Sequence, residues 1–263
     1  RVTTGDLARP PLPESTGQGS EQAPASAPVT EPAFEEENLP HIRKIIAKTM
    51  HQSLASAAQL TLNASFDATA ILAYRKKLKE AGDSLGLANI TLNDILLFAV
   101  ARTLGNYRGL NAHFLEDKIR YFKQVNLGVA TDTDRGLMVP TLFGADRLSL
   151  NEISVQAKKL IGECRAGTIN PDLLKNGSFT VTNLGTLGVE SFTPILNPPQ
   201  TGILGVDTIV QRARQAGNGD IAFYPAMGLS LTFDHRAVDG APAARFLKDL
   251  ITNLENFTIL LAR

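Results

Sequence analysis

Residues 233–240 read Phe233-Asp234-His235-Arg236-Ala237-Val238-Asp239-Gly240. The stretch follows an alternation of apolar residues over 227–233, which predicts a strand, and it precedes an apolar helical pattern over 241–254. We therefore expect His235 and Asp239 in a turn at the end of a sheet, where polar side chains converge without burying their charge.

The histidine in this turn is the main candidate for chemistry. A histidine can exchange a proton near neutral pH, because its unperturbed pKa is about 6.5. On spacing alone, His235 and Asp239 fit three interpretations: a solvated turn or structural hydrogen-bond cluster, a catalytic base, or a His/Asp metal site. The other histidines are weaker candidates, since His41 and His51 lie on the polar side of the first predicted helix and His113 lies in a turn-like stretch.

Outward from this turn, the pattern alternates helices and strands from residue 39 to the end. One pair of residues, Thr91 and Asp94, is typical of a capping box at a helix start. Helices are predicted over 42–54, 67–81, 95–104, 150–166 and 241–254, and strands over 60–66, 125–129, 137–142, 179–181, 203–206 and 227–233. These elements predict a mixed α/β layered domain over 39–263.

The N-terminal part of the chain has a different composition. Residues 8–38 contain six of the fourteen prolines, one arginine and six glutamates, a net charge of −5. Because the whole chain has a formal net charge of zero, the remaining residues carry +5. Such a segment buries too little apolar surface to fold, so we expect either a semi-rigid linker or a disordered terminus without a role. Residues 1–7 are too short to fold alone and are expected to be the tail of a preceding domain.

Composition and missing motifs exclude several classes of function. A single cysteine excludes a disulfide framework and a four-cysteine zinc module, and Cys164 is expected to be an inert thiol within a helix. The longest apolar run, 95–101, is far shorter than the roughly 18 residues that span a bilayer. We find no phosphate loop, no glycine triplet of a dinucleotide site, no nucleophile elbow, no targeting signal and little basic surface for nucleic acid.

The stretch 234–240 resembles the Asp-His-Arg-x-x-Asp-Gly motif of dihydrolipoamide acyltransferases. These are core components of 2-oxo acid dehydrogenase complexes and share a fold with chloramphenicol acetyltransferase. Other segments resemble the same family in the same order: Ile-Arg-Lys-Ile-Ile-Ala at 42–47, Gly-Leu-Met-Val-Pro at 136–140, Ser-Phe-Thr-Val-Thr-Asn-Leu-Gly at 178–185 and Asn-Pro-Pro-Gln at 197–200. The resemblance covers 39–263. Residues 1–7 are similar to the end of a peripheral subunit-binding domain, and 8–38 to the linker that follows it.

The resemblance implies a chloramphenicol acetyltransferase-like fold, with a two-layer mixed β-sheet and helices, in a trimer. It implies that His235 is the base that activates a thiol and faces Thr182 of a neighbouring copy, whose hydroxyl stabilises the oxyanion. It further implies that Asp239 supports catalysis, with Arg43 as its partner, and that Asn197 shapes a wall near the site. Asp234, Arg236 and Gly240 complete the motif. It implies no metal and leaves the coenzyme A contacts unassigned.

The substrates and partners follow from the same resemblance. Coenzyme A is expected as a substrate, with the lipoyl group on an upstream domain not present in this chain. The expected partners are further copies in a cubic or dodecahedral core, the 2-oxo acid dehydrogenase or decarboxylase, and dihydrolipoamide dehydrogenase, with no nucleic acid or membrane. The expected location is the bacterial cytoplasm, or the mitochondrial matrix in a eukaryote. Phe98 stands where many relatives carry lysine, which bears on the pantetheine or interface contacts in that region.

Three alternatives to this acetyltransferase interpretation stay open. The chain could be a noncatalytic core that keeps the fold and organises partner enzymes, or an acyltransferase specific for branched-chain or succinyl groups. It could also acetylate a small hydroxylated antibiotic on the same fold. The residues at 182–185 and 197–200 look more like pyruvate- or acetoin-type enzymes, and therefore favour the acetyl group.

Overall fold

The computed structural model describes residues 33–217 and 219–262. The predictions for residues 1–7 and for 8–32 lie outside these ranges. The residues from Leu39 onward form one compact unit. Its described helices are α1 (His41–Ser56), α2 (Thr69–Ala81), α3 (Leu92–Leu104), α4 (Leu150–Ala166), α5 (Gly240–Glu255) and α6 (Phe257–Leu260). Its described strands are β1 (Gln59–Asp67), β2 (Ala112–Leu115), β3 (Lys118–Tyr121), β4 (Leu127–Val129), β5 (Thr141–Leu142), β6 (Phe179–Asn183), β7 (Gly202–Gln215) and β8 (Ile221–Asp234).

Six of these strands form one mixed sheet in the order β1-β8-β7-β6-β4-β5. Strands β7, β6 and β4 run parallel, whereas β1, β8 and β5 pair antiparallel with their neighbours. Strands β2 and β3 form a separate hairpin. The long antiparallel pair β7 and β8 carries the turn at residues 234–240 to one end of the sheet.

The hydrophobic core lies between one face of the sheet and the helices. Helix α3 is buried along almost its whole length, and its start is fixed by the predicted capping box of Thr91 and Asp94, which the structure confirms. Helix α5 reaches the sheet through Phe246, whose ring centroid is 5.9 Å from that of Phe179 in β6. Successive side chains of a strand point to opposite faces of the sheet, and the residues that face away from the core are more polar. That second face carries, among others, Thr180, Thr182, Ser230 and Thr232.

The structure places Phe98 in the core and corrects one expectation, that for His113. Phe98, which stands where many relatives carry lysine, is 3% exposed and packs edge-on against Phe257 within the core. His113 does not lie in a turn but in strand β2, where it is buried beside Phe122. The short β2–β3 hairpin escaped prediction because each of its strands has only four residues.

Helix α1 forms as predicted but leaves three of its apolar residues exposed within the described chain. Ile42, Ile45 and Leu54 are 37%, 52% and 56% exposed. The predicted strand over 137–142 is also shorter than expected, since only Thr141 and Leu142 join the sheet. No helix in the described part of the chain is long and apolar enough to cross a membrane.

Candidate active site

The turn that carries His235 is anchored through its backbone. The amide of Asp234 donates to the carbonyl of Thr201 at 3.0 Å, and the amide of His235 donates to the carbonyl of Ala58 at 2.8 Å. The carbonyl of Asp234 in turn accepts from the amides of Ala237 and Val238 at 2.9 and 3.0 Å. The backbone of this turn therefore has fixed contacts on both sides.

A charged pair braces the same turn from inside. The Arg236 guanidinium donates to the Asp234 carboxylate from Nη2 at 2.6 Å and from Nε at 3.0 Å. Burial by itself raises the pKa of the Asp234 carboxyl, but the hydrogen bonds and charge of Arg236 more than offset this and lower it below its ordinary value. The guanidinium also lies over the Phe114 ring, 4.4 Å from its centroid. Asp234 and Arg236 thus hold the turn and are not free to react.

The side chain of His235 remains available. It is exposed, its ring centroid lies 5.7 Å from that of Phe233, and it makes no side-chain hydrogen bond within the described residues. A Cβ placed on Gly240 would lie 4.0 Å from Nε2 of His235, so the ring lies close to the first residue of α5. Asp239 precedes that residue as the N-cap, is exposed, and makes no capping bond with its side chain.

A cleft of about 420 Å³ opens beside this turn. Asp234 and Arg236 line one side, and Leu196 with Pro198 lines another. Asn197 lies between these last two residues in the chain and is partly exposed, and its predicted role at the site stays a prediction. The position of this wall depends on Ser53 and Gln59, two residues that sequence reasoning missed.

Thr182 lies elsewhere on the sheet. It pairs with Gly205 of β7, which pairs with Ser230 of β8, five positions before His235. With a rise of about 3.3 Å per residue and about 4.8 Å between strands, the Cα atoms of Thr182 and His235 are roughly 19 Å apart. The structure therefore does not bring these two predicted site residues together within one chain.

On the second face, Thr182 lies beside a strand position that the Phe192 side chain covers. Gly205 has no side chain, and a Cβ there would come within 2.7 Å of the Phe192 ring. The Phe192 amide donates to Ser230 Oγ at 3.4 Å, and Ser230 Oγ donates to Asp207 Oδ2 at 3.0 Å. Phe192 thus covers the strand position next to Thr182, while Thr182 itself is only partly buried.

Asp207 is a second residue that the sequence did not single out. It is 2% exposed, and its Oδ1 has no hydrogen-bond partner among the described residues. Burial raises the pKa of the Asp207 carboxyl, which the hydrogen bond from Ser230 opposes. The sequence gives little indication of a role for Asp207, because it is a single aspartate within an apolar strand pattern and forms no motif with other polar residues.

The structure does not bring Arg43 to Asp239. Among the described residues these two form no ion pair, and an Arg43 Nη2 lies 3.7 Å from the position that a Cβ on Gly136 would take. The contact predicted between Arg43 and Asp239 is therefore absent within the single described chain.

A second cleft, of about 410 Å³, opens near the end of β6, and its lining includes Asn183, Asn93 and Arg75.

The remaining titratable candidates do not form another site. Burial raises the pKa of the Cys164 thiol, which keeps it protonated and poorly nucleophilic. His113 contacts the carbonyl of Gly177 through Nε2 at 2.7 Å, and burial lowers its pKa. Within residues 33–217 and 219–262, no group of three or more His, Cys, Asp or Glu side chains is placed to hold a metal ion.

Sequence comparisons place these features among known proteins. Residues 31–262 match the model of the 2-oxoacid dehydrogenases acyltransferase (catalytic domain) family. The chain is 38% identical over 232 residues to the dihydrolipoyllysine-residue acetyltransferase component of the acetoin cleaving system of Bacillus subtilis, covering 87% of this chain and 57% of that protein. It is 36% identical over 231 residues to the corresponding component of the pyruvate dehydrogenase complex of the same organism, covering 86% and 52%. The chain thus spans about half the length of these relatives.

Solved structures resemble it over most of its length. One is a structure of Azotobacter vinelandii dihydrolipoamide acetyltransferase, determined to study the roles of a serine, a histidine and an asparagine in catalysis, with a TM-score of 0.82, 29% identity and coverage of 87% and 94%. Another is the cubic core of a pyruvate dehydrogenase multienzyme complex, with a TM-score of 0.82, 30% identity and the same coverage. Chloramphenicol acetyltransferase matches with a TM-score of 0.50 at 14% identity, covering 82% and 92%, and confirms the predicted fold.

Proposed function

The chain belongs to the 2-oxoacid dehydrogenases acyltransferase (catalytic domain) family, and on that basis we propose that it transfers an acyl group between dihydrolipoyl sulfur and coenzyme A sulfur. The observation that carries the proposal is the His235 turn. Its backbone is anchored to Ala58 and Thr201, while its imidazole is exposed and makes no hydrogen bond within the described residues. A base that exchanges a proton with an incoming thiol needs a fixed backbone and an accessible ring nitrogen.

The proposed reaction begins with a thiol at the His235 imidazole. A thiol with a pKa near 8.5 is mostly neutral at physiological pH and is then a poor nucleophile. A ring nitrogen of His235 accepts the thiol proton as the sulfur attacks the thioester carbonyl of the other substrate. The carbon–sulfur bond to the leaving thiolate then breaks, and the imidazolium returns its proton to that sulfur. The histidine ends the cycle neutral.

The tetrahedral intermediate needs a hydrogen-bond donor for its oxyanion. We assign this role to the hydroxyl of Thr182, which lies partly exposed on the second face of the sheet. A prepositioned donor of this kind typically contributes on the order of 10²–10³ in rate. The relative solved for a study of a catalytic serine and histidine supports a hydroxyl and an imidazole as the working pair.

Because Thr182 and His235 are far apart within one chain, the site we propose forms between two copies. A head-to-tail contact forms a ring when the rotation between copies closes, and the ring we propose is a trimer. The exposed apolar residues of α1, Ile42, Ile45 and Leu54, supply surface for contacts between copies. The similarity to a cubic core supports assembly of such trimers into a larger core, in which Ile259 of α6, 58% exposed, would face a neighbour.

We further propose the wider setting of the reaction. The acyl group is acetyl, which the names of the two Bacillus subtilis relatives support. The lipoyl group is carried on an upstream domain, and residues 8–38 link it to the core. The partner enzymes are a 2-oxo acid dehydrogenase or decarboxylase and dihydrolipoamide dehydrogenase, and the location is the bacterial cytoplasm.

The direct test compares the wild-type protein with His235→Ala, using acetyl-CoA and dihydrolipoamide as substrates. We expect kcat to fall by at least about 10², since general base catalysis typically contributes 10²–10⁴. Equal turnover by both proteins would contradict the role of His235. No turnover by the wild-type protein with acetyl-, succinyl- or isobutyryl-CoA would instead indicate a noncatalytic core. Preference for succinyl- or isobutyryl-CoA would overturn the choice of the acetyl group alone.

A further inference from the structure

A polar cluster outside the motif connects the end of α1 to both walls of the cleft beside His235. Its centre is Gln59, the first residue of β1. The side-chain amide of Gln59 donates from Nε2 to the carbonyl of Ser53 at 3.1 Å and to Ser53 Oγ at 3.0 Å. Its Oε1 accepts the backbone amide of Leu196 at 3.1 Å. One side chain thus joins the end of α1 to Leu196, which lies 137 positions after Gln59 in the chain.

Ser53 holds the same segment from the other side. Its hydroxyl donates to the carbonyl of Leu196 at 2.7 Å, and the residue is fully buried. Both backbone polar groups of Leu196 are therefore held by side chains, and neither takes part in a sheet or helix bond. The next residue is Asn197, so these two hydrogen bonds set where the wall of the cleft lies.

The same short segment fixes His235. Gln59 pairs with Asp234 in the antiparallel register of β1 and β8. The residue before it, Ala58, accepts the backbone amide of His235 at 2.8 Å. Because the imidazole makes no hydrogen bond of its own within the described residues, its location depends on this backbone contact. Residues 53–59 therefore contact both the turn of the proposed base and the Leu196 segment.

Building on the proposed acyl transfer, we propose that Gln59 is a positioning residue. It acts through the backbone of Leu196 and through the anchored turn, and so fixes the positions of Asn197 and His235. Its side-chain hydrogen bonds go to Ser53 and Leu196, so it acts through these residues. Bound geometry matters to rate because a misplacement of about 1 Å can cost about 10²-fold. The loss of Gln59 is accordingly expected in kcat more than in substrate binding.

The test uses Gln59→Met, which keeps the length of the side chain and removes its donor and acceptor. We expect kcat to fall about tenfold or more at 25 °C, with KM for acetyl-CoA and for dihydrolipoamide within about twofold. Ser53→Ala removes one of the two side-chain hydrogen bonds to the Leu196 backbone. We expect it to lower kcat as well, but by less than Gln59→Met does. If Gln59→Met fails to fold, Gln59→Glu replaces it: this variant keeps an acceptor for the Leu196 amide but loses the amide donor to Ser53, and kcat within twofold of the wild type would overturn the proposal.

A matched control separates positioning from general stability. Asn253 of α5 donates to Thr103 Oγ1 at 2.9 Å, a partly buried polar contact away from both clefts. Asn253→Leu should lower the midpoint of thermal unfolding without changing kcat. A folded Gln59→Met with kcat within twofold of the wild type would overturn the proposal, as would an equal loss of kcat in Asn253→Leu.

A second readout does not depend on activity. Amide hydrogen exchange, read by mass spectrometry, should become faster in Gln59→Met at peptides that contain Leu196 and His235, while peptides from α4 remain unchanged. Unchanged exchange at both sites would contradict the positioning role. An inactive wild-type protein would contradict the proposed function, and the exchange experiment would still decide the role of Gln59.

Discussion

Thr182 and His235 lie on the same sheet, two strands and five positions apart, so one chain does not bring them into contact. The distance of roughly 19 Å follows from strand geometry alone and is several times the reach of a hydrogen bond. A reaction that needs an imidazole and a hydroxyl at the same carbonyl therefore needs two copies of the chain.

Replacing Thr182 by valine removes the hydroxyl and keeps the β-branched shape. We expect kcat to fall by about 10² to 10³ because the oxyanion loses its donor. Thr182→Ser, which restores a hydroxyl, should retain most of the activity. Steady-state kinetics of the assembled protein check both, with Thr252→Val on the exposed side of α5 as the matched control. A fully active Thr182→Val protein would rule out the proposed role.

Replacing Arg236 by alanine leaves the buried Asp234 carboxylate without its main partner. Because hydrogen bonds to charged groups contribute about 1.5 to 3 kcal/mol, we expect a loss of that order in the free energy of unfolding near neutral pH. The pKa of Asp234 is lowered in the folded state, so its stabilising contribution is present above about pH 4 and is lost as the pH falls further. Urea unfolding at pH 7 and at about pH 2.5 should show a smaller difference between the proteins at the lower pH, and an equal difference at both would be the contrary result.

His113 should make stability fall on mild acidification. Burial lowers its pKa in the folded protein from the ordinary value of 6.5, so below about pH 6.5 the unfolded chain binds the proton more readily. The free energy of unfolding should therefore decrease as the pH drops from 7.5 to 5. His113→Gln removes this titration, and its urea unfolding curve should shift less over the same range. Parallel pH dependence in both proteins would show that His113 does not contribute.

Asp207 should act in the opposite direction. Burial raises its pKa in the folded protein, so as the pH rises above about 4 the unfolded chain loses its proton first and stability falls. Asp207→Asn removes this dependence while it keeps the shape of the side chain. The variant should gain free energy of unfolding relative to the wild type as the pH rises from 4 to 7. A constant difference between the two proteins over that range would be the contrary result.

Local sequence patterns predicted the parts of the fold that depend on neighbours in the chain. The strand, turn and helix around His235 were expected from apolar periodicity, and α4 begins and ends at the predicted residues, Leu150 and Ala166. The capping box of Thr91 and Asp94 was also visible, because it needs only two residues three positions apart. The family resemblance added the fold and the candidate roles of Thr182 and His235.

Features that depend on distant contacts escaped the sequence. In the sequence, Gln59 is a single polar residue at the start of a strand. Its proposed role rests on its contact with Leu196, which only the folded structure shows. The outer part of β7 was missed because Arg212 and Arg214 interrupt the apolar pattern, although their side chains bond to Ser65 and Asp67 across the sheet.

Under the proposed mechanism, acyl transfer takes place between Thr182 of one copy and His235 of another. Thr182→Val and His235→Ala proteins should each be nearly inactive when assembled alone. Unfolded together in equal amounts and refolded as mixed assemblies, they should recover about a quarter of wild-type turnover, because about a quarter of the head-to-tail interfaces then combine an intact threonine with an intact histidine. Mixed assemblies no more active than either variant alone would show that the two residues do not act together across an interface between copies.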